Sequence, residues 1–483
     1  MADSLGHRAL GGVSATLLWQ AIRVCLLGVS IVVLARLLSP EDYGLLAMVT
    51  AVIGVGELLR DLGLSVAAVQ ARTLNRAEKS NLFWANTLTG FVLMIVVFCL
   101  SWPIGALYSQ PEVVPITQAL SITFLINGVA AQFKAQINRD LRFMMLGISE
   151  ALPQAIGLAF AIWLAITFGN YWALVAQALT VAVVALVLDV LFSRWFPGLP
   201  RFDVSIRRFL RFGGALAGTQ GLAYVAKNID NVLLGVFYGS GPLGFYSRAY
   251  QLIVLPLNQL TAPLSRVAIP ILARLQDDRE QFLRYLRSGQ FFTVSMSSVF
   301  YASMIGLATP IVLVVLGDQW LPVVPILQAL SVSGIFRAMG QVPYWIFVAL
   351  GLTGKQFRIY LVSQPLVVIA ILIGVPWGGV GVAIGCSIGY FVFWFIQMWW
   401  AGRVSGLPAG TLIRSGLALV LIVGIPVSLI GFAATTFISG AVLALVIGLL
   451  AIAVYTGAVL LLIPPYRRQL ATIKTILDRR RRR

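Results

Sequence analysis

Residues 12–44 read GVSATLLWQAIRVCLLGVSIVVLARLLSPEDYG. The apolar run 13–37 rises about 1.5 Å per residue as a helix, enough to cross a hydrocarbon core of roughly 30 Å. Leu38-Ser39-Pro40 then turns the chain, and Gly44 opens another apolar run. The same rhythm returns later. Gly213-Gly214 precede a long helix that ends in Gly239-Ser240-Gly241-Pro242-Leu243-Gly244. Gly12 to Gly44 spans 32 positions and Gly214 to Gly244 spans 30. Six spans separate the two starts, an even number, so both repeats share one orientation in the membrane. That predicts two six-helix bundles related by an axis along the membrane normal, with two further helices after them.

Composition places the whole chain in a membrane. Its 483 residues are 59% hydrophobic and 11% charged, with a mean hydropathy of +0.92. Soluble chains carry about 25% charged residues, so this one lacks the charge to cover a globular surface. Cys25, Cys99 and Cys386 all lie in apolar stretches and form no CxxC or zinc pattern, so they read as small hydrophobes. A ruler of about 20 residues gives an all-α polytopic protein with fourteen spans: 13–37, 43–60, 82–106, 114–134, 147–168, 171–192, 212–237, 243–266, 290–316, 322–350, 356–375, 378–401, 411–432 and 436–463. The second carries Glu57 and runs into Arg60-Asp61, which allows a break or a re-entrant end there. The first resembles a signal peptide only superficially: it is too long and lacks a convincing cleavage site.

Charge checks the span count independently. With a cytoplasmic N-terminus, the inner segments and their helix ends collect 30 of the 35 Lys and Arg; the exceptions are Arg23, Arg36, Lys227, Arg248 and Arg337. Much of the net +18 is therefore topology. Both termini are expected in the cytoplasm. The domain plan is an N-terminal lobe 1–192, a basic linker 193–211, a C-terminal lobe 212–401, two added helices 402–463 and a basic tail 464–483. Residues 204–212 and 267–289 suit short interfacial helices. Trp320, Trp377, Trp399 and Trp400 are expected in the aromatic belt at span ends, and Gly381, Gly385 and Gly389 form a small face for helix packing.

Charges that lipid does not tolerate are candidate function. Arg23 lies about 15 Å into the first span, on a helix that also carries Gln20; it either lines a cavity or forms a structural ion pair. The seventh span holds Lys227-Asn228-Ile229-Asp230-Asn231, a wet face on which Lys227 and Asp230 can also neutralise each other. Lys227 is the candidate ligand contact, and Asp230 its positioning partner or an ion-coupling carboxylate. Arg337 sits mid-span, followed by Gln341 and Tyr344; Arg248 lies about one turn below the outer face with Tyr246 and Gln251, within reach of headgroups. Glu57, Arg60 and Asp61 read as a gate or as a cytoplasmic-side ion pair. Three deep positives against one central negative make a cavity for an anion, and arginine's fork of donors suits phosphate.

Several chemistries lack their groups. There is no GxxxxGK[ST] and no HExxH, the sole histidine is His7, and no large soluble segment is present to hold a nucleotide-sugar. No enzyme, metal site, cofactor or nucleic-acid partner is expected.

Leu38-Ser39-Pro40-Glu41-Asp42-Tyr43-Gly44, Asp61-Leu62-Gly63-Leu64-Ser65, Asn81-Leu82-Phe83-Trp84-Ala85-Asn86, Arg142-Phe143, Asn228-x-Asp230-x-x-Leu233-Leu234-Gly235 and Leu243-Gly244-Phe245-Tyr246-x-x-Ala249 resemble the polysaccharide exporters of the flippase superfamily that also holds multidrug extruders and the peptidoglycan lipid flippase. The branch is that of colanic acid, teichuronic acid and O-antigen unit translocases. The resemblance implies a V-shaped fold of two six-helix lobes and translocation of an undecaprenyl-diphosphate-linked oligosaccharide by alternating access. It also implies coupling to a proton or sodium gradient, with membrane lipids, glycosyltransferases and a polysaccharide polymerase as partners. Family proposals place cationic residues of the first and seventh spans at the diphosphate; here those spans hold Arg23 and Lys227. A multidrug or other amphiphile exporter is the alternative within the superfamily. A membrane-embedded glycan-assembly factor or transferase is the alternative outside it.

Overall fold

Ser39 and Asp42 account for the first turn. In the computed structural model, the Ser39 backbone N–H and hydroxyl donate to Asp42 Oδ2 at 2.9 and 2.7 Å, and the Asp42 N–H returns a bond to Ser39 Oγ at 3.3 Å. This is a capping box with proline at the first helical position, where its missing N–H costs nothing. It separates α1 (Ala2–Leu37) from α2 (Pro40–Asp61). The structure describes residues 2–61, 75–201, 224 and 228–462, with side chains described from 18 to 57, 75 to 201, at 224 and from 228 to 461.

The helices that follow are α3 (Arg76–Tyr108), α4 (Val113–Arg139), α5 (Phe143–Phe168), α6 (Trp172–Ser193), α7 (228–238) and α8 (Ser240–Arg274). Then come α9 (Arg279–Gly306), α10 (Ala308–Val315), α11 (Val323–Met339), α12 (Gln341–Ala349), α13 (Thr353–Gly374), α14 (Gly378–Ser405), α15 (Ala409–Leu419), α16 (Ile425–Phe437) and α17 (Ala441–Leu462). No strand occurs among the described residues. The chain is an all-α, multi-pass membrane protein. Ten helices among the described residues are long and apolar enough to span, or eleven if α9 and α10, bent by 79° about Leu307, form one broken span. Their outer faces carry large apolar side chains such as Leu88, Ile166 and Leu450, each more than 60% exposed. Water would not tolerate so extended an apolar surface.

The chain forms two compact units, Met1–Gly244 and Phe245–Arg483. In the first, the two repeated turns pack on each other reciprocally. A Cβ on Gly44 would collide with the Ser240 carbonyl, and one on Gly244 with the Pro40 carbonyl. Each motif thus presents the same glycine to the other's helix start, as a two-fold exchange requires.

In the second unit, the run 353–405 folds back as a helical hairpin through residues 375–377. Cβ atoms added at Gly381 and Gly385 would strike the carbonyls of Gly374 and Ala370, and one at Gly389 would lie 2.9 Å from Val367 Cα. These pairs diverge in opposite directions along the chain, so α13 and α14 are antiparallel with the glycine face as their seam.

Three expectations change. Residues 267–289 are not a separate interfacial helix: α8 continues to Arg274 and α9 starts at Arg279, capped by the Asp278 side chain. The helix α2 runs unbroken to Asp61. Trp320 is fully buried against Phe245, ring centroids 6.0 Å apart, so it belongs to the core, whereas Trp377 is 71% exposed. The stretch 204–212 and the tail beyond 462 lie outside the described residues.

Candidate functional site

Arg337 lies in the last turn of α11, and the helix breaks just after it at Gly340. It is about 21 Å along from Val323 and about 18 Å short of Ala349, so it is central in its span. The guanidinium is held between two aromatic faces, its carbon 4.7 Å from the Tyr390 centroid and 5.3 Å from that of Tyr250. Both terminal nitrogens reach the Tyr250 hydroxyl at 3.3 Å. Tyr250 in turn stacks on the buried Tyr246 at 6.2 Å. Among the described residues Arg337 forms no ion pair with a carboxylate. Aromatic faces hold the cation in place without neutralising it, leaving its donors available to an anion.

Nearby candidates are more committed. Arg248 Nη1 donates to Gln251 Oε1 at 2.6 Å. Gln341 accepts from Ser265 Oγ at 3.2 Å, and the same hydroxyl accepts from Trp345 Nε1 at 2.8 Å, which ties α12 to α8. Tyr344 is exposed.

In the first unit, Arg23 is half exposed and pairs at 3.5 Å with Glu150, which Lys134 approaches more closely at 2.8 Å. Of the two expectations for Arg23, the structure shows the ion pair. Behind them lies Asp189, 2% exposed, beside Ser149. Lys134, Glu150 and Asp189 were not singled out from sequence. Their signal was present, since Asp189 and Glu150 are lone carboxylates inside apolar runs, but proximity to span ends disguised it. Gln20 is exposed on α1. Asn228 Nδ2 donates to the Tyr224 carbonyl at 3.0 Å, and the Tyr224 hydroxyl donates to Thr50 O at 2.9 Å, so this segment packs on α2. Asp230 is buried, and its Oδ1 accepts from the Asn231 N–H at 2.9 Å. Glu57 accepts from Asn127 Nδ2 at 3.4 Å. Lys227 and the side chains of Arg60 and Asp61 lie outside the described residues.

An apolar cavity of about 870 Å³ in the second unit is lined by residues including Phe291, Met296, Phe300, Leu449, Ile452 and Leu460. Among the described residues no group of three His, Cys, Asp or Glu side chains is placed to hold a metal.

A family model described as "Polysaccharide biosynthesis protein" matches residues 33–325. The chain is 27% identical over 408 residues to the lipopolysaccharide biosynthesis protein WzxC of Escherichia coli K12, covering 82% of this chain and 80% of that one. It is 27% identical to the teichuronic acid biosynthesis protein TuaB of Bacillus subtilis 168, covering 59% of each. Among solved structures, the lipid II flippase MurJ in an inward closed conformation superposes with a TM-score of 0.71 at 15% identity, over 93% of this chain and 99% of that one. An inward-facing multidrug resistance MATE transporter superposes at 0.58 and 16% identity, over 81% and 98%. At such identities these two likenesses speak for the fold alone. None of these proteins is named for a catalytic activity.

Proposed function

The chain belongs to the polysaccharide biosynthesis protein family, which it matches over residues 33–325, and from that premise we propose that it moves an undecaprenyl-diphosphate-linked oligosaccharide from the cytoplasmic to the outer leaflet of a bacterial inner membrane by alternating access. The observation that carries this reading is the central guanidinium of Arg337, caged by Tyr250 and Tyr390 and free of carboxylates among the described residues. A diphosphate cannot enter hydrocarbon unaided, because its charge would lose hydration without replacement. A planar fork of donors in a low-dielectric site supplies that replacement. Arg248 of the same unit as Arg337, and Gln20, Arg23, Lys227 and Asn228 of the first unit, are the other proposed cargo contacts. The apolar cavity offers walls to part of the prenyl chain.

Fourteen spans, in two six-helix bundles and a final pair with both termini cytoplasmic, are the proposed architecture. The antiparallel hairpin within 353–405, the unbroken α2 and the described part of α7 support it. Coupling to a proton or sodium gradient is assigned to Asp230 and to Glu57 with Arg60 and Asp61. A multidrug extruder for cations fits less well, because a caged and unneutralised arginine repels such cargo.

The test is protein-dependent flipping of a fluorescent lipid-diphosphate oligosaccharide in sealed proteoliposomes, with Arg337→Ala and Arg23→Ala beside wild type. Absence of flipping by a folded preparation across several glycans overturns the substrate class. Full wild-type rates in both variants would keep the flippase and discard these contacts.

A further inference from the structure

The motif Asn81-Leu82-Phe83-Trp84-Ala85-Asn86 has no part in the site above, yet it holds something in place. The segment 194–201 after α6 is strapped across the start of α3. Both ends of the Asn81 amide engage one residue: Nδ2 donates to Arg201 O at 2.6 Å and Oδ1 accepts from the Arg201 N–H at 2.8 Å. Trp84 Nε1 donates to Gly198 O at 2.9 Å, while the Gly198 N–H donates to Ser80 Oγ at 2.9 Å. Trp195 packs edge-on against both Phe83 and Phe133, at centroid distances of 6.3 and 5.7 Å. Where the strap begins, Arg194 takes a left-handed backbone with φ of 50°, an uncommon conformation for a residue other than glycine.

Strap and helix start flank an open cavity of about 460 Å³ lined by Arg76, Lys79, Arg194, Trp195 and Phe196. That volume is in the usual range for small-molecule sites, roughly 300–1,000 Å³. Among the described residues three of the five that line it are cationic and none is acidic. None of the three forms an ion pair among the described residues. Glu78, between two of them in sequence, is turned back into a capping box with Asn75. Arg76 and Lys79 belong to the first turn of α3, where the helix dipole favours an anion. Trp195 adds a buried indole N–H with no hydrogen-bond partner among the described residues. The positive-inside rule accounts for cations on this face. It does not account for three lining one cavity, beside an unpartnered indole N–H and without an acid among the described residues.

We propose that this cavity binds the phosphate headgroup of a lipid at the cytoplasmic face. The orientation rests on the function proposed above. Two lipids present that chemistry: the diphosphate of the cargo before it enters the transport path, and an anionic phospholipid of the surrounding leaflet.

The experiment measures lipid retention by native mass spectrometry on the purified full chain. The probes are undecaprenyl diphosphate without glycan, phosphatidylglycerol and, as the neutral control, phosphatidylcholine. A variant carrying Arg76→Gln, Lys79→Gln and Arg194→Gln is expected to lose retention of the bound anionic lipid at least about tenfold, as loss of one charge-assisted bond would give. Trp84→Phe, which loosens the strap and leaves every charge, is expected to weaken it less. Preference for undecaprenyl diphosphate identifies the cargo as occupant, and equal retention of phosphatidylglycerol identifies the leaflet. Equal retention of all three lipids, or retention unchanged in the triple variant, overturns the proposal. If the triple variant misfolds, a photoactivatable diphosphate lipid on the wild-type chain decides: labelling within 76–84 or 194–201 supports the site, and its absence there sinks it. Retention does not depend on flipping, so failure of the transport assay with retention intact refutes only the proposed function.

Discussion

Replacing Arg337 by lysine isolates what the tyrosine cage does. Lysine keeps the charge but presents a point cation in place of a planar fork, and it does not stack as a guanidinium does. With ring faces at 4.7 and 5.3 Å, each cation–π contact is worth about 0.5 to 2 kcal/mol, depending on its desolvation. Hydrogen bonds to charged groups contribute about 1.5–3 kcal/mol. Loss of one such bond to the diphosphate therefore raises the half-saturating cargo concentration by about tenfold or more, at 1.4 kcal/mol per decade. Arg337→Ala removes the charge as well and is expected to fall further, by about a hundredfold. Tyr390→Leu leaves the fork intact but opens one side of the cage, so its effect is smaller, about three- to tenfold for roughly 1 kcal/mol. Initial flipping rates against cargo concentration in sealed proteoliposomes measure all three, with thermal unfolding in detergent as the folding control. If folded Arg337→Lys saturates at the wild-type concentration, or if alanine and lysine fall equally, the cage does not position a phosphate-binding fork.

Other outcomes follow from separate contacts. Glu150→Gln is expected to cost no more than about 1 kcal/mol of stability, because its ion pairs with Arg23 and Lys134 are half exposed; cargo affinity measured in the same variant should change, since both cations are released. Gly385→Ala pushes a Cβ into the Ala370 carbonyl and is expected to cost about 1–3 kcal/mol, whereas Gly354→Ala, which meets open space, leaves the melting temperature near wild type. The Asp278 carboxyl, outside the membrane, is held below the ordinary carboxylate range chiefly by the backbone N–H of Gln281. Its stabilisation of the first turn of α9 is thus fully present above the ordinary aspartate pKa and is lost as pH falls through the depressed folded value. Asp278→Ala should raise deuterium uptake over residues 279–284 at neutral pH, and unchanged uptake would refute the cap.

The helical class, the membrane setting and the turn at Ser39-Pro40 were legible in the sequence because each is a property of a contiguous segment. Apolar length sets a span, and Ser39 with Asp42 caps its own helix. The deep position of Arg337 was legible by the same ruler. Its cage was not, since Tyr250 and Tyr390 stand 87 and 53 positions from it in the chain and only packing brings their faces to the guanidinium. Trp320 was misread for a related reason: a tryptophan near a span end satisfies a belt and a core equally well until Phe245 is found against it. Lys134, Glu150 and Asp189 lie on three different helices and acquire meaning only together. Hydropathy and capping act over a few residues of one chain, so sequence states them directly. Which cation keeps a partner and which stays free depends on distances between helices, and only the tertiary structure decides those.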